Sequence, residues 1–484
     1  MENFKNKLVR GFAWQASTKL FVQIFSWVST IWVARLLTPD DYGLVAMSGL
    51  VVGIFIMLAT TGFAAGIVNR VNIGKAELDT VFWLSIGLGF GLYAIIFFIA
   101  DAVADFYEED ELSNVIKVAG LMVLICAVKL VPSALALRAL DYKIISLNEM
   151  LGAFVGILVT LVMAMFGYKY WSLILGTIAA EVVKTLVYYL VYRYVPSFVF
   201  KIRLVFDLLY FGVTLLFASA LKYISGSIPI FLLSTFTTTT TTGYYQMAYT
   251  FGSLPSNKVG SLFSNLIFPA MSRIKNDNAM AKNTFIQMHT SLLFVTGPMF
   301  IGLALVAEPL INVILTPTWS PIILPFQVIC VIAIFQMSSL FITRAIEGLG
   351  DAKVSFKYQL YAIIICGSCM WVGVYNWDLK GMLVGWLVSS PIVYIYLLMN
   401  IAKKLEIQLS EVLKMYLPLI TCLLFMSLST FLLLQFVFAG LSPILKLISA
   451  SLCGALVFFG ASFLFARPYV ENVKRIIFNA FKKD

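Results

Sequence analysis

Long apolar blocks separated by short polar breaks fill the chain, and they predict fourteen helical spans. These fall at about 12 to 35, 43 to 67, 80 to 101, 113 to 136, 146 to 167, 171 to 192, 209 to 233, 243 to 269, 287 to 313, 322 to 345, 358 to 376, 381 to 402, 415 to 437 and 444 to 465. The blocks reach or nearly reach the roughly 20 residues that a helix rising 1.5 Å per residue needs to cross about 30 Å of hydrocarbon. A membrane β-barrel would instead show strands of about ten residues with alternating polarity. The pattern predicts an all-α polytopic membrane protein, and no connecting segment is long enough for a separate folded domain.

Composition strengthens that reading. Of the 484 residues, 61% are hydrophobic and only 12% charged, with a mean hydropathy of +0.94. Soluble domains average about 25% charged residues, so a soluble globular protein is excluded. The net charge of +10 belongs to no basic soluble domain, which argues against nucleic acid as a partner. It follows the polar breaks instead: 24 of the 34 Lys and Arg residues lie in alternate breaks and at both ends. The opposite breaks hold the acidic run "DFYEEDEL" at 105 to 112. An even number of spans with this bias places both termini in the cytoplasm. "MENFKNKLVRGFAWQASTK" leads straight into a span and carries no convincing cleavage site, so no cleavable signal peptide is expected. All six cysteines lie within apolar runs, where they read as packing residues; this includes the C-x-x-C pair Cys366 and Cys369. No metal or cofactor is expected.

A shift of 200 residues lays "LLTPDDYGLVAM" over "FTTTTTTGYYQM", matching Gly43 with Gly243 and Met47 with Met247. Each segment joins an odd-numbered span to the next. The two halves therefore share an orientation, as in parallel repeats related by an axis along the membrane normal. The run Thr237 to Thr242 reads as a polar turn at the outer side. Two lobes of this kind enclose a cavity that opens to alternate sides, which is a transporter architecture.

The segments "VARLLTPDDYGLVAMSGLV", "TTGFAAGIVNR", "PSALALRALDYK", "GYYQMAYTFGSLPSNKVGSLFSNLIFPAMSRIKND" and "GPMFIGLALVAEPLINVILTPTW" resemble bacterial polysaccharide exporters of the O-antigen flippase (Wzx) type. These belong to the multidrug/oligosaccharidyl-lipid/polysaccharide superfamily. The resemblance implies two pseudo-symmetric six-helix lobes, at 1–204 and 205–404, with two extra C-terminal spans and a basic tail at 405–484. It implies a flippase in the bacterial inner membrane acting on an undecaprenyl-diphosphate-linked oligosaccharide. Membrane lipids, and a glycan polymerase and chain-length regulator, would be its neighbours. A lipid II flippase and an ion-coupled drug exporter are competing readings, as is a membrane-embedded glycan polymerase or ligase, although the outer breaks are short and hold no histidine.

Six lysines fall inside spans and carry the chemical argument, because a lone ammonium at the bilayer centre costs roughly 2.5 to 3.5 kcal/mol. Lys222, in "LLFASALKYISGSIPIF", lies too deep to reach headgroups easily and is the leading candidate to face a cavity and meet a diphosphate. Lys258, beside Asn257, lines a polar stretch of span 8 or snorkels to the cytoplasmic surface. Lys19 shares a helical stripe with Gln15 and Gln23, and the resemblance places substrate-facing cations on its span. Lys129 is a weaker candidate. Lys184 has Glu181 three residues earlier and reads as an internal ion pair, whereas Lys446 reads as interfacial. Arg70, with Asn69 and Arg138, sits at the cytoplasmic mouth, either receiving a diphosphate or merely obeying the positive-inside bias. Glu149 and Glu308 are possible proton or cation sites. His289, the single histidine, is expected at the interface.

Overall fold

The computed structural model describes residues 25–471 apart from 71 and 439, and no strand occurs among the described residues. Helix α1 covers residues 25–36. It is followed by α2 (Pro39–Asn69), α3 (Lys75–Tyr107), α4 (Asp110–Ala119), α5 (Leu121–Arg138), α6 (Tyr142–Met165), α7 (Lys169–Tyr192) and α8 (Phe206–Phe236). Then come α9 (Thr239–Ile274), α10 (Asn278–Leu305), α11 (Ala307–Ile314), α12 (Ile323–Gly348), α13 (Ala352–Tyr361), α14 (Gly367–Lys404), α15 (Leu409–Leu432) and α16 (Pro443–Phe465). The chain divides into two compact units, Met1–Gly243 and Tyr244–Asp484.

Eleven helical segments among the described residues are long and apolar enough to cross a membrane. One of them, Ala352–Lys404, has 53 residues, about 80 Å if straight, far beyond the bilayer's 30 Å or so. It is not straight. Trp377 and Asp378 leave helical geometry, Asp378 with φ at 49°. Gly373 then lies against the carbonyl of Gly381, and Gly385 against that of Cys369. The segment is an antiparallel hairpin turning at the break that the sequence places between spans 11 and 12.

Local sequence explains the helix boundaries. At the start of α2, the Asp41 carboxylate accepts from the backbone N–H and the hydroxyl of Thr38, both at 2.8 Å. Pro39 follows in the first turn, where its missing N–H costs nothing. At the far end, the Arg138 guanidinium donates to the carbonyls of Ile67 (3.0 Å) and Arg70 (2.7 Å), satisfying acceptors that the end of α2 leaves open. Predicted span 4 is two helices, α4 and α5, meeting at Gly120. The threonine run is only partly a turn: Thr239 already begins α9.

Within the first unit, small residues set the helix contacts. Lipid chains are as apolar as leucine, so close backbone packing replaces the hydrophobic drive. Gly152 and Gly156 of α6 meet Lys184, Ala180 and Gly176 of α7. Gly62 of α2 faces Gly212 of α8 so closely that a Cβ on Gly212 would stand 2.8 Å from the Gly62 backbone. Further along this seam, the Tyr223 hydroxyl lies 2.8 Å from the Leu50 carbonyl and 3.1 Å from that of Gly49.

The second unit contains the main correction to the sequence reading. His289 is not interfacial; it is fully buried, stacked between Phe285 and Phe341. Its Nε2 lies 2.5 Å from the Ser338 hydroxyl, which donates to the Tyr394 hydroxyl at 3.2 Å. Tyr394 bonds the Tyr416 hydroxyl at 2.7 Å, and Tyr416 returns to His289 Nδ1 at 3.4 Å. This closed ring joins α10, α12, α14 and α15. The physical reason is mutual satisfaction: four polar groups from four helices each find partners away from water.

Candidate functional site

Helix α8 has three distinct sides. Val213, Phe217, Ile224 and Phe231, between 46% and 68% exposed, form an apolar stripe on one side. Gly212 and Tyr223 pack along α2 on a second. At 3.6 residues per turn, Lys222 projects opposite the apolar stripe, in line with Ala218 and Gly226. It is exposed, about 20 Å from either end of α8, and pairs with no described residue. An ammonium so placed has three donors to offer an anion.

A second cluster of charge lies between α5, α6 and α7. Lys129 pairs with Oε2 of Glu181. The other oxygen of Glu181, Oε1, accepts from Lys184 at 3.0 Å, and Lys184 also reaches Glu149 at 2.9 Å. The i,i+3 pair expected from the sequence is present, within a chain of four alternating charges. Asn148 donates from Nδ2 to the Lys184 carbonyl at 3.1 Å. Beside Lys129 opens a cavity of about 360 Å³, lined also by Thr60, Cys126, Ser133 and Glu181. The Lys129 and Glu181 side chains are 20% and 15% exposed.

The other candidates are scattered. Arg70 pairs with Glu77 at 3.1 Å and donates to the Leu204 carbonyl at 2.8 Å, fastening the segment before α8 to the end of α2. Lys19 and Gln23 lie outside the described residues; of Asn257 and Lys258 only the backbone, within α9, is described. In the sequence Glu181 shows one partner, whereas the structure gives it two. The i,i+3 spacing reveals Lys184, but Lys129 lies 52 residues away, a distance no local pattern spans.

Two more features complete the picture. Where α2 and α9 begin, the Thr240 hydroxyl meets the Asp40 carboxylate and the Thr239 hydroxyl meets that of Glu109. In the second unit, an apolar cavity of about 730 Å³ lies between α10, α15 and α16, walled by Phe294, Met299, Met426, Phe458 and Phe463. Its size and character suit a hydrocarbon chain.

Residues 32–324 match the polysaccharide biosynthesis protein family. The chain is 24% identical over 375 residues to the lipopolysaccharide biosynthesis protein WzxC of Escherichia coli (strain K12), covering 76% of each protein. It is 22% identical over 313 residues to the succinoglycan biosynthesis transport protein ExoT of Rhizobium meliloti (strain 1021), covering 65% of this chain and 63% of that one. The fold is similar to that of the lipid II flippase MurJ in an inward closed conformation, with a TM-score of 0.73 at 15% identity, covering 94% of this chain and 99% of that one.

Proposed function

The chain belongs to the polysaccharide biosynthesis protein family, and from that premise we propose that it is a flippase for undecaprenyl-diphosphate-linked oligosaccharide repeat units. It carries them across the bacterial inner membrane by alternating access, with both termini in the cytoplasm. It works without a cofactor, alongside a glycan polymerase and a chain-length regulator. The proposal counts fourteen spans: the eleven apolar segments, with the α14 hairpin crossing twice, and the spans that the sequence predicts at 12–35 and 243–269. These form two six-helix lobes, 1–204 and 205–404, followed by the two C-terminal spans of 405–484.

Lys222 carries the proposal. Placing an ammonium that pairs with no described residue at mid-span is costly, and the cost is understandable where the ammonium meets water and an anion. A diphosphate would be prohibitive to move through hydrocarbon unaided. On this reading Lys222 receives it, and Lys19, Lys258, Asn257, Gln23, Arg70 and Lys129 are the further residues proposed to bind the substrate. The 730 Å³ apolar cavity suits a stretch of the isoprenoid tail.

The test reconstitutes the full chain in liposomes with a fluorescent undecaprenyl-diphosphate oligosaccharide and measures its accessibility at the two leaflets. Wild type is expected to equilibrate the lipid, and Lys222→Ala to lose nearly all of that activity while keeping its melting temperature. Full activity in Lys222→Ala would remove the assignment. Lipid II in the same assay separates the competing substrate.

A further inference from the structure

The Lys129–Glu181 pair is built so that it can open. Removing one partner of a buried ion pair normally strands the other charge, which is strongly unfavourable. Glu181 escapes that outcome because its two oxygens serve two lysines: Oε2 holds Lys129 and Oε1 holds Lys184 at 3.0 Å. If Lys129 turns away, Glu181 keeps Lys184, which is itself shared with Glu149 at 2.9 Å. Lys129 has no such second tie: Glu181 is the single ion-pair partner it has among the described residues. Both side chains line the same cavity of about 360 Å³, together with the hydroxyl residues Thr60 and Ser133. That space exceeds what an inorganic phosphate or one sugar ring fills.

Resting on the flippase reading, we infer that Lys129 is a reserve anion site, held shut by Glu181 until an anionic group of the substrate enters the cavity and takes the carboxylate's place. The exchange trades one charge-assisted contact for another. It leaves no buried group unpaired, and the four-charge chain needs no proton to complete it. The ligand chemistry is an oxyanion bearing several acceptor oxygens, either the diphosphate of the lipid carrier or a carboxylate on an acidic sugar. Glu181 acts as an internal competitor: while it occupies Lys129, the apparent affinity for the oxyanion is lowered by the fraction of molecules in which Lys129 is free.

The test is calorimetric titration of the purified full chain with inorganic pyrophosphate and, separately, glucuronate. Glu181→Gln releases Lys129 and is expected to tighten binding of at least one probe by about tenfold. In Lys129→Met/Glu181→Gln the gain should vanish. A gain confined to pyrophosphate assigns the diphosphate, and one confined to glucuronate assigns an acidic sugar. Unchanged affinity for both probes in Glu181→Gln, or a gain that survives in the double variant, overturns the inference. Should Glu181→Gln not fold, Glu181→Asp keeps a charge for Lys184 but withdraws it from Lys129, and the same outcomes apply. Flipping by wild type without any gain in Glu181→Gln sinks the reserve site alone; the gain without flipping sinks the flippase alone.

Discussion

Gly43 rests on the backbone carbonyl of Thr239, and the contact has a twin 200 residues along the chain. Gly243 rests on the carbonyl of Pro39. Positions 39 and 239, like 43 and 243, are the ones the internal repeat superimposes. Each helix start thus offers its first carbonyl to the other's glycine, the reciprocal pattern of a two-fold contact. Any side chain at either glycine would overlap that carbonyl.

The first prediction concerns this crossing. The Asp40 and Thr240 side chains touch, so Asp40→Cys/Thr240→Cys is expected to form a disulfide under mild oxidation. Lipid flipping should stop when it forms and return on reduction. Gel mobility and the leaflet assay read the two outcomes, and flipping at full rate in the cross-linked protein would remove the crossing from the transport cycle.

Gly43→Val addresses the same crossing without a cross-link. The valine cannot enter without parting α2 from α9, so the cross-linking yield in the double-cysteine background should fall several-fold. A yield matching that of the parent would show that the carbonyl contact does not govern the crossing.

The His289 ring makes a separate prediction. A neutral imidazole brings one donor and one acceptor, and three hydroxyls supply the rest, so four protons fill four contacts. Tyr416→Phe removes one proton and two contacts. Interhelical hydrogen bonds in membranes average about 0.6 kcal/mol each, so a loss of about 1 kcal/mol is expected, read as a lower melting temperature in detergent. His289→Ala, which also empties the space between Phe285 and Phe341, should cost more, in the range of about 2 to 5 kcal/mol.

The α6–α7 hairpin is another seam without room for a larger side chain. A Cβ at Gly156 would already stand 2.8 Å from that of Ala180, and the branched side chain of Gly156→Leu has nowhere to go. The variant should yield little folded protein by size-exclusion chromatography, whereas Gly87→Leu, at a glycine with open space around it, should behave as wild type.

Helices and much of the punctuation were legible because they are local, and "EVVK" announces the 181–184 pair. The sequence reads "TPDD" as part of the break before a span at about 43, whereas its Thr38 caps a helix that already starts at Pro39. Hydropathy divides the 358–402 region at the residues where the structure turns it. What stayed hidden depends on convergence of distant segments. Lys129 finds Glu181 only once α5 and α7 pack together, and His289 meets hydroxyls from three other helices. Placed near a predicted span end, that histidine carries no local mark of burial, since Ser338, Tyr394 and Tyr416 look unremarkable in their own segments.

The three-sided character of α8 limits how that helix can move. Rolling it half a turn about its axis would carry Lys222 to the side now held by Phe217 and Phe231, at a cost of roughly 2.5 to 3.5 kcal/mol if the ammonium met lipid. The same roll would pull Tyr223 from the carbonyls of Gly49 and Leu50. Tilting or sliding, with α2 carried along, costs neither, so spin labels on α8 should report rocking of the α2–α8 pair and no rotation of α8 within it.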